Sequence, residues 1–276
     1  MKHVRFPAGD SVPALGLGTW HMGQDLSHFN AEVAALRHGI ELGMTLIDTA
    51  EMYADGGAEQ VVGAAIKGRR EGLFIVSKVL PHHASAAGTI AACEQSLARL
   101  GSDYIDLYLL HWPGQHALQE SIRGFETLQQ AGKIRHYGIS NFDAAGLHDV
   151  IAAGGGNCQT NQLLYNPSRR GIEFDTLVEM AALNMPLMAY SPLQQGGLIG
   201  HPVLTEIGRR HDSDAAAVAL AWAIRRDDVI AIPKAGDLGH VRANRAAAEI
   251  VLSADDLAAI DDAFPPPTRR QHLEVL

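Results

Sequence analysis

Four residues in the first half of the chain are of the types needed to work on an oxygen atom. Asp48 and Tyr53 lie five positions apart in LIDTAEMYADGGAE (46–59), where an apolar run gives way to a polar, glycine-containing loop. Lys78 comes near the end of GLFIVSKV (72–79), and His111 near the end of YIDLYLLHW (104–112). A free tyrosine, with a pKa of about 10, is a poor acid at neutral pH. A carboxylate beside a lysine keeps the lysine charged, and a cation beside a phenol favours the phenolate. On this reasoning the Asp48–Lys78 pair lowers the pKa of Tyr53. The histidine adds a hydrogen-bond donor for an oxygen. Together they form a device for protonating an oxygen as it gains negative charge, as a carbonyl oxygen does when it receives a hydride.

Each residue alone has a plainer explanation. An Asp–Lys pair at a strand end is often only an ion pair. A tyrosine after a strand is usually packing, and a histidine before Trp-Pro usually belongs to a core or rim. Four such residues on three successive strand ends and an adjoining loop are much harder to explain as packing.

What positions them is a repeating rhythm. Eight short apolar runs alternate with longer helical patterns: 13–20, 44–50, 72–79, 104–112, 136–142, 158–165, 186–193 and 229–235. Most are separated by the length of a strand–helix–return unit. The intervening segments NAEVAALRHGIELG, TIAACEQSLARLG, ALQESIRGFETLQQAG, EFDTLVEMAALN and DAAAVALAWAIRRD read as helices, several stopped by glycine. The pattern predicts an α/β fold, a (β/α)8 TIM barrel, with a β-hairpin over residues 1–14 closing its bottom. The barrel spans about 15–250, and a C-terminal helix and tail fill 251–276, all in one domain over 1–276. FPPPTRRQHLEVL (264–276) is either a strap packed on the barrel or part of a substrate rim. An open doubly wound sheet is the alternative, but GLGTWHMG has His21 where the third glycine of a dinucleotide fingerprint belongs.

A parallel barrel brings all its strand ends to one mouth. Polar residues recur there: Asp48, Lys78, His111, Ser140, Asn141, Gln162, Tyr190 and Lys234.

The bulk numbers narrow the function. The net charge of -9 argues against nucleic acid as a general partner. Two cysteines, Cys93 and Cys158, make no disulfide framework and suit a reducing cytoplasm. The start has no apolar signal core, and AAAVALAWAI (215–224) is too short to span a bilayer. The expectation is a cytoplasmic protein without membrane or nucleic-acid partners, a monomer or weak homo-oligomer. His82 and His83 lack a convincing third ligand, so no metal is expected. AGGGN (153–157) precedes a strand rather than opening a helix, a poor phosphate cradle. Glu51, Asp55 and Glu59 read as loop and helix-start residues.

These motifs resemble the aldo-keto reductases, in order and over nearly the whole chain. GLGTW resembles the opening barrel strand, LIDTAEMY the D-T-A-x-x-Y signature, IVSKV the segment of the family lysine and LYLLHWP that of its histidine. IRHYGISNF, QTNQLLYN, MAYSPL and IAIPKA resemble the family's cofactor segments. The short length and LIDTAEMYADGGAEQVVG look most like small bacterial members of the methylglyoxal-reducing kind. The resemblance implies NADPH bound across the barrel mouth without a Rossmann domain, and a small carbonyl substrate. It implies Tyr53 as proton donor, Lys78 and Asp48 as its tuning pair, and His111 as the group orienting the carbonyl. Ser140, Asn141 and Gln162 would bind the carboxamide and Tyr190 would stack on the nicotinamide ring. Gly18, Thr19, Ser191 and Leu193 would line the cofactor path, Lys234 would meet the 2'-phosphate, and Asn244 would face adenine. Trp20 and Trp112 would wall the substrate pocket beside Tyr53 and His111.

The chain departs from the family pattern at the last cofactor segment. Ala235, His240 and Ala243 stand where many relatives have serine, arginine and glutamate, with Arg242 or Arg245 as candidate substitutes. NADPH is still favoured because Lys234 remains, with NADH as the alternative. Two other functions fit parts of the pattern. One is a Schiff-base aldolase using Lys78, opposed by the neighbouring Asp48. The other is an NADP-binding sensor of the same fold with little turnover.

Overall fold

The computed structural model describes all 276 residues. Its centre is a sheet of eight parallel strands in sequence order: β3 (Leu17–Gly18), β4 (Leu46–Asp48), β5 (Phe74–Val79), β6 (Ile105–Leu110), β7 (Ile134–Ser140), β8 (Asn161–Leu164), β9 (Leu187–Tyr190) and β10 (Val229–Ala231). Seven of the eight apolar runs each hold one strand, and β7 begins at Ile134, two residues ahead of the fifth run. β4, β5, β6, β8 and β10 are buried along their whole length, as expected where side chains meet a packed interior on one face and helices on the other.

The first and last strands complete the ring. Gly16 N–H donates to Ala231 O at 2.9 Å, Ala231 N–H to Ala14 O at 2.8 Å, and Gly18 N–H to Pro233 O at 3.0 Å. The first strand is shorter than its apolar run because this seam consists of single bridges, Leu15 with Ala231 and Gly18 with Lys234. A Cβ on Gly18 would come within 2.5 Å of Ile232 O, so the seam at the mouth admits only glycine there.

The hairpin forms as expected from β1 (His3–Arg5) and β2 (Ser11–Pro13), paired antiparallel. Val4, Phe6 and Val12 are buried, and Phe6 stacks on Phe74 at the start of β5, with ring centroids 5.2 Å apart. The hairpin therefore plugs the end of the barrel opposite the mouth. Ala8 N–H donates to Gln159 Oε1, and His136 Nε2 lies 2.8 Å from Asp10, fixing the hairpin turn to β7 and the approach to β8.

Ten α-helices surround the sheet: α1 (Phe29–Glu41), α2 (Gly57–Ile66), α3 (Ala86–Leu100), α4 (Leu118–Gln130), α5 (Ala144–Ala152), α6 (Thr176–Ala182), α7 (Pro202–Arg210), α8 (Ala215–Ala223), α9 (Leu238–Ala247) and α10 (Ala254–Ala263). Their starts are written in short polar side chains. Ser85, Asp143, Asp214 and Asp237 each accept from a main-chain N–H of the first turn, and Ser253 and Asp256 make a reciprocal capping box. α3 ends at Gly101 in the left-handed conformation, which glycine adopts without strain. The alanine-rich α8 is buried at nearly every position, and no helix is long and apolar enough to cross a membrane.

After α10 the chain runs without regular structure across the loops that follow β7 and β8. Arg270 reaches Asp143 and Asp175, and Leu273 packs on the core.

Candidate active site

The strand ends assemble the four residues picked out above. Asp48 is the last residue of β4 and Lys78 is one residue short of the end of β5; these strands are neighbours in the sheet. Lys78 Nζ lies 2.9 and 2.8 Å from the two oxygens of Asp48 and 2.8 Å from Thr49 O. Lys78 is fully buried and Asp48 nearly so. Loss of hydration pushes the Asp48 carboxyl up and the Lys78 ammonium down, while each charge favours the ionised form of the other. Three acceptors at under 3 Å match the three protons of an ammonium, so the arrangement is that of an ion pair.

Tyr53 follows β4 at the start of a short 3-10 turn, Tyr53–Gly56. Its hydroxyl is 3.3 Å from Lys78 Nζ, and the ammonium lies 4.9 Å from the ring centroid. Ala54 and Asp55 take left-handed conformations, with φ of 52° and 49°. Such backbone is costly for non-glycine residues and marks a segment held by its surroundings.

The expected direction of the Tyr53 shift is reversed. Its pKa is raised well above the usual phenol value, first by loss of hydration and then by the charge of Asp48. The carboxylate offsets much of the lysine's field, and the three shorter bonds already engage the ammonium protons. Tyr53 is therefore held protonated. Chemically this suits an acid: the proton is present at the start, and the lysine contact strengthens as the oxygen becomes phenolate.

His111 follows β6 and is buried, its ring edge-on to Tyr53 with centroids 5.8 Å apart. Burial, helped by the positive charge of Lys78, pushes its pKa down to about 2, so the ring is neutral. Its Nδ1 is enclosed without a partner, which leaves Nε2 as the nitrogen able to meet a ligand. Trp112 lies against the His111 ring at 4.8 Å, and Trp20, after β3, is 37% exposed. A polar floor with aromatic residues around it can take a small carbonyl compound.

A second chain of contacts continues round the mouth. Ser140 Oγ donates to Gln162 O at 2.9 Å, and Asn141 Nδ2 donates to His111 O and Ser140 Oγ. Tyr190 Oη donates to Asn141 Oδ1 at 2.9 Å. Asn141 sits at φ 62°, a conformation that asparagine tolerates better than most residues. Gln162 uses its amide N–H on Asp48 Oδ1 at 2.7 Å, so in this structure it supports the carboxylate. Thr19 Oγ1 donates to Asp48 O at 2.9 Å and joins the first strand to the same point.

The remaining expected cofactor residues lie further out. Ser191 and Leu193 are half-buried in the loop after β9. Lys234 is exposed just past β10, beside Gly18 of the seam, and makes no ion pair. Ala235 is buried, and Asn244 is buried on α9. His240 is exposed in the first turn of α9, beside the capping Asp237. Of the two candidate substitutes, Arg245 is engaged by Leu42 O and Glu249, whereas Arg242 is exposed and unpaired. The donor set fits an extended anionic nucleotide: a half-exposed aromatic ring at one end and free cations toward the other.

Two carboxylates read from the sequence as loop and helix-start residues do hold those positions, Glu51 in the loop after β4 and Glu59 in the first turn of α2, and both are also buried. Glu59 is fully enclosed and accepts from Ser77 Oγ at 2.6 Å and Arg99 Nε at 2.5 Å, beside Lys78. Glu51 accepts from Leu80 N–H at 2.7 Å and faces His83 Nδ1 at 3.1 Å. They brace the segments on either side of the lysine. The main-chain oxygen of Thr49, which holds Lys78, had no sequence signal at all.

Comparison with known proteins agrees with this geometry. The family model described as "Aldo/keto reductase family" matches residues 14–264. The chain belongs to the aldo/keto reductase family. Among its relatives, methylglyoxal reductase YeaE of Escherichia coli is 50% identical over 100% of this chain and 99% of its own. Glyoxal reductase of Bacillus subtilis is 34% identical, covering 94% of this chain and 91% of its own. The crystal structure of an aldo-keto reductase from Klebsiella pneumoniae in complex with NADPH superposes with a TM-score of 0.97 at 48% identity, over 100% of this chain and 99% of that one. This aldo/keto reductase is thus an oxidoreductase of the barrel type.

Proposed function

We propose that the protein reduces aldehydes and reactive dicarbonyls such as methylglyoxal to alcohols, using NADPH. The observation that carries this reading is the Tyr53 hydroxyl, held protonated 3.3 Å from a lysine that is itself ion-paired to Asp48. The methylglyoxal and glyoxal reductases among its relatives and the NADPH complex of the Klebsiella homologue support the substrate class and the cofactor.

When bound, the cofactor supplies the hydride. The chain does the rest. His111 in its neutral form donates a hydrogen bond to the carbonyl oxygen and orients it. Tyr53 delivers its proton to that oxygen as negative charge develops. Lys78 stabilises the phenolate that remains, and Asp48, held by Gln162 and Thr19, keeps the lysine charged and in place. Ser140 and Asn141 hold the carboxamide, with Gln162 contributing through its free carbonyl side. Tyr190 offers an aromatic face to the flat ring. Gly18, Thr19, Ser191 and Leu193 line the path, and Lys234 with Arg242 meets the adenosine phosphate. Ala235, His240 and Asn244 flank that end. Trp20 and Trp112 enclose the substrate. We place this activity in one domain and in the cytoplasm, where Cys93 and Cys158, both free and buried, remain reduced.

Consumption of NADPH on adding methylglyoxal or a nitrobenzaldehyde tests the proposal. Tight NADPH binding without turnover of any carbonyl in a broad panel would make the protein a cofactor sensor instead. The aldolase reading is disfavoured because the Lys78 amine faces three acceptors and has no free lone pair for attack.

A further inference from the structure

The loop after β9 is strained and tied down. Ser191, Gln194 and Gln195 all have positive φ, at 48°, 50° and 52°, within five residues. None is glycine, so three costly conformations are held in one short segment. The holding groups come from the turn after β8. Asn166 is fully buried and its Nδ2 donates to Ser191 O at 3.0 Å. With the Gln194 amide oxygen turned to the guanidinium, Arg169 Nε and Nη2 donate to it at 3.1 and 3.0 Å. This orientation gives up one bond from Asn166 Nδ2 and leaves two amide nitrogens 2.9 Å apart, but the opposite one would point the Gln194 amide N–H groups at a cation along two contacts, so this one is favoured.

The other edge of the same guanidinium faces the C-terminal tail. Arg169 Nη1 donates to Glu274 Oε1 at 2.5 Å. Neighbouring tail residues are anchored independently: Arg270 lies between Asp143 and Asp175, and Gln271 lies over Gly171. Two residues beyond Glu274, the main chain of Leu276 faces the Tyr190 hydroxyl. One arginine thus joins the loop carrying Ser191 and Leu193 to the segment that closes over Tyr190.

We infer that Arg169 is a positioning residue that couples ordering of the 191–196 loop to closure of the 265–276 tail over the mouth. A ligand that orders the loop then also favours the closed tail, and a substrate that favours the closed tail tightens the loop's ligand. This reciprocity is required of any coupling between two binding events. The link to cofactor rests on the proposed function, which makes 191–193 part of the NADPH path. The mechanical link between loop and tail does not.

The test has two arms. The first measures NADPH dissociation constants by quenching of tryptophan fluorescence, together with kcat and KM for methylglyoxal. Glu274→Gln and Gln194→Ala are each expected to weaken NADPH about five-fold, with KM rising and kcat little changed. The Glu274→Gln/Gln194→Ala double variant is expected to be no weaker than the poorer single variant, because both break one relay. Arg169→Met should match the double variant, and Arg169→Lys should recover part of the loss. The second arm measures backbone amide exchange without ligand. Glu274→Gln should speed exchange in 191–200, and Gln194→Ala should speed exchange in 270–276. Strictly additive losses in NADPH affinity, or exchange that changes only in the segment carrying the substitution, would overturn the inference. A lowered melting temperature with unchanged NADPH affinity and no cross-effect on exchange would also overturn it, leaving Arg169 a purely structural residue. If the wild-type protein bound no NADPH, the proposed function would fail, and the exchange arm alone would decide the coupling.

Discussion

Asp48 at the mouth of the barrel and Asp106 near its floor are both almost completely buried, and each meets a cation from a neighbouring segment. Asp106 accepts from Arg70 Nη2 at 2.5 Å and from Ile75 N–H at 2.8 Å, with Arg135 at 3.4 Å from its other oxygen. Arg70 also donates to Leu73 O, Tyr104 O and Ser102 Oγ. That floor network is a knot of planar, permanently charged groups with almost every donor used, and it fastens the starts of two strands. At the mouth the cation is a lysine, a compact charge on a flexible stem. Three short contacts fix it, and a fourth, longer one reaches a phenol that can lose a proton. The lesson lies in the leftover contact. Around Asp106 the other contacts of Arg70 are to oxygens that keep their charge, whereas beside the fully engaged Lys78 sits a phenol oxygen that can become an anion.

Substitutions at the two ends should therefore separate rate from stability. The largest effect is expected at the mouth. Tyr53→Phe should lower kcat by about 10²–10⁴-fold while NADPH still binds and the melting temperature holds. Near-wild-type turnover in that variant would remove Tyr53 as proton donor. At the floor the expectation inverts. Asp106→Ala leaves Arg70 without its buried partner and should destabilise the fold by about 3–5 kcal/mol in a denaturant titration. Turnover per folded molecule should stay near normal, and a selective loss of kcat would break the contrast.

A pH experiment sharpens the comparison further. His111 titrates at about 2 in the folded protein, against about 6.5 when unfolded. Below the unfolded value the unfolded chain binds a proton that the folded one does not, so the contribution is full above about pH 6.5 and is lost progressively as pH falls. His111→Asn should flatten the acid side of the stability–pH curve by about 1.4 kcal/mol per pH unit. An unchanged slope would mean that the ring is protonated in the folded state. The raised pKa of Tyr53 makes a matching statement about rate: loss of its proton should produce no alkaline fall in kcat below about pH 10. The smallest effect belongs to Arg135→Ala. Its side chain is 53% exposed, so removing it should cost under about 1 kcal/mol despite its closeness to Asp106.

Much of this site is legible in the sequence because a parallel barrel turns order along the chain into convergence in space. Asp48, Lys78 and His111 occupy three successive strand ends, so their meeting follows from the eight-fold rhythm alone. The direction of the Tyr53 shift does not follow, because spacing shows neither how deeply the phenol is buried nor how close Asp48 lies to it. The Gln162 contact with Asp48 does not follow either: one buried amide can serve a ligand, a carboxylate or both, and only distances show the carboxylate. The burial of Glu51 and Glu59 is not legible because their partners, Leu80 N–H and Arg99, lie far along the chain. The helices α2, α5, α7 and α9 stand outside the five helical patterns and the expected C-terminal helix. They are short, so glycine, histidine and arginine dilute the period. Arg169 carries no signal, since its two partners sit on an irregular loop and an irregular tail.

The seam between β3 and β10 has a consequence for how the barrel comes into being. Seven of the strand contacts join neighbours in sequence and can form as the chain is made. The eighth joins Gly16 to Ala231 and Gly18 to Pro233, across more than two hundred residues, through a few hydrogen bonds. Closing so long a loop carries the largest entropic cost of any pairing in the sheet, so this is the natural last step of folding and the first place for the ring to open. Lys234 and Thr19 flank that join on opposite strands. A nucleotide lying across both would act as a clasp on the closed ring, slowing its opening and lengthening the lifetime of the folded protein while it is bound.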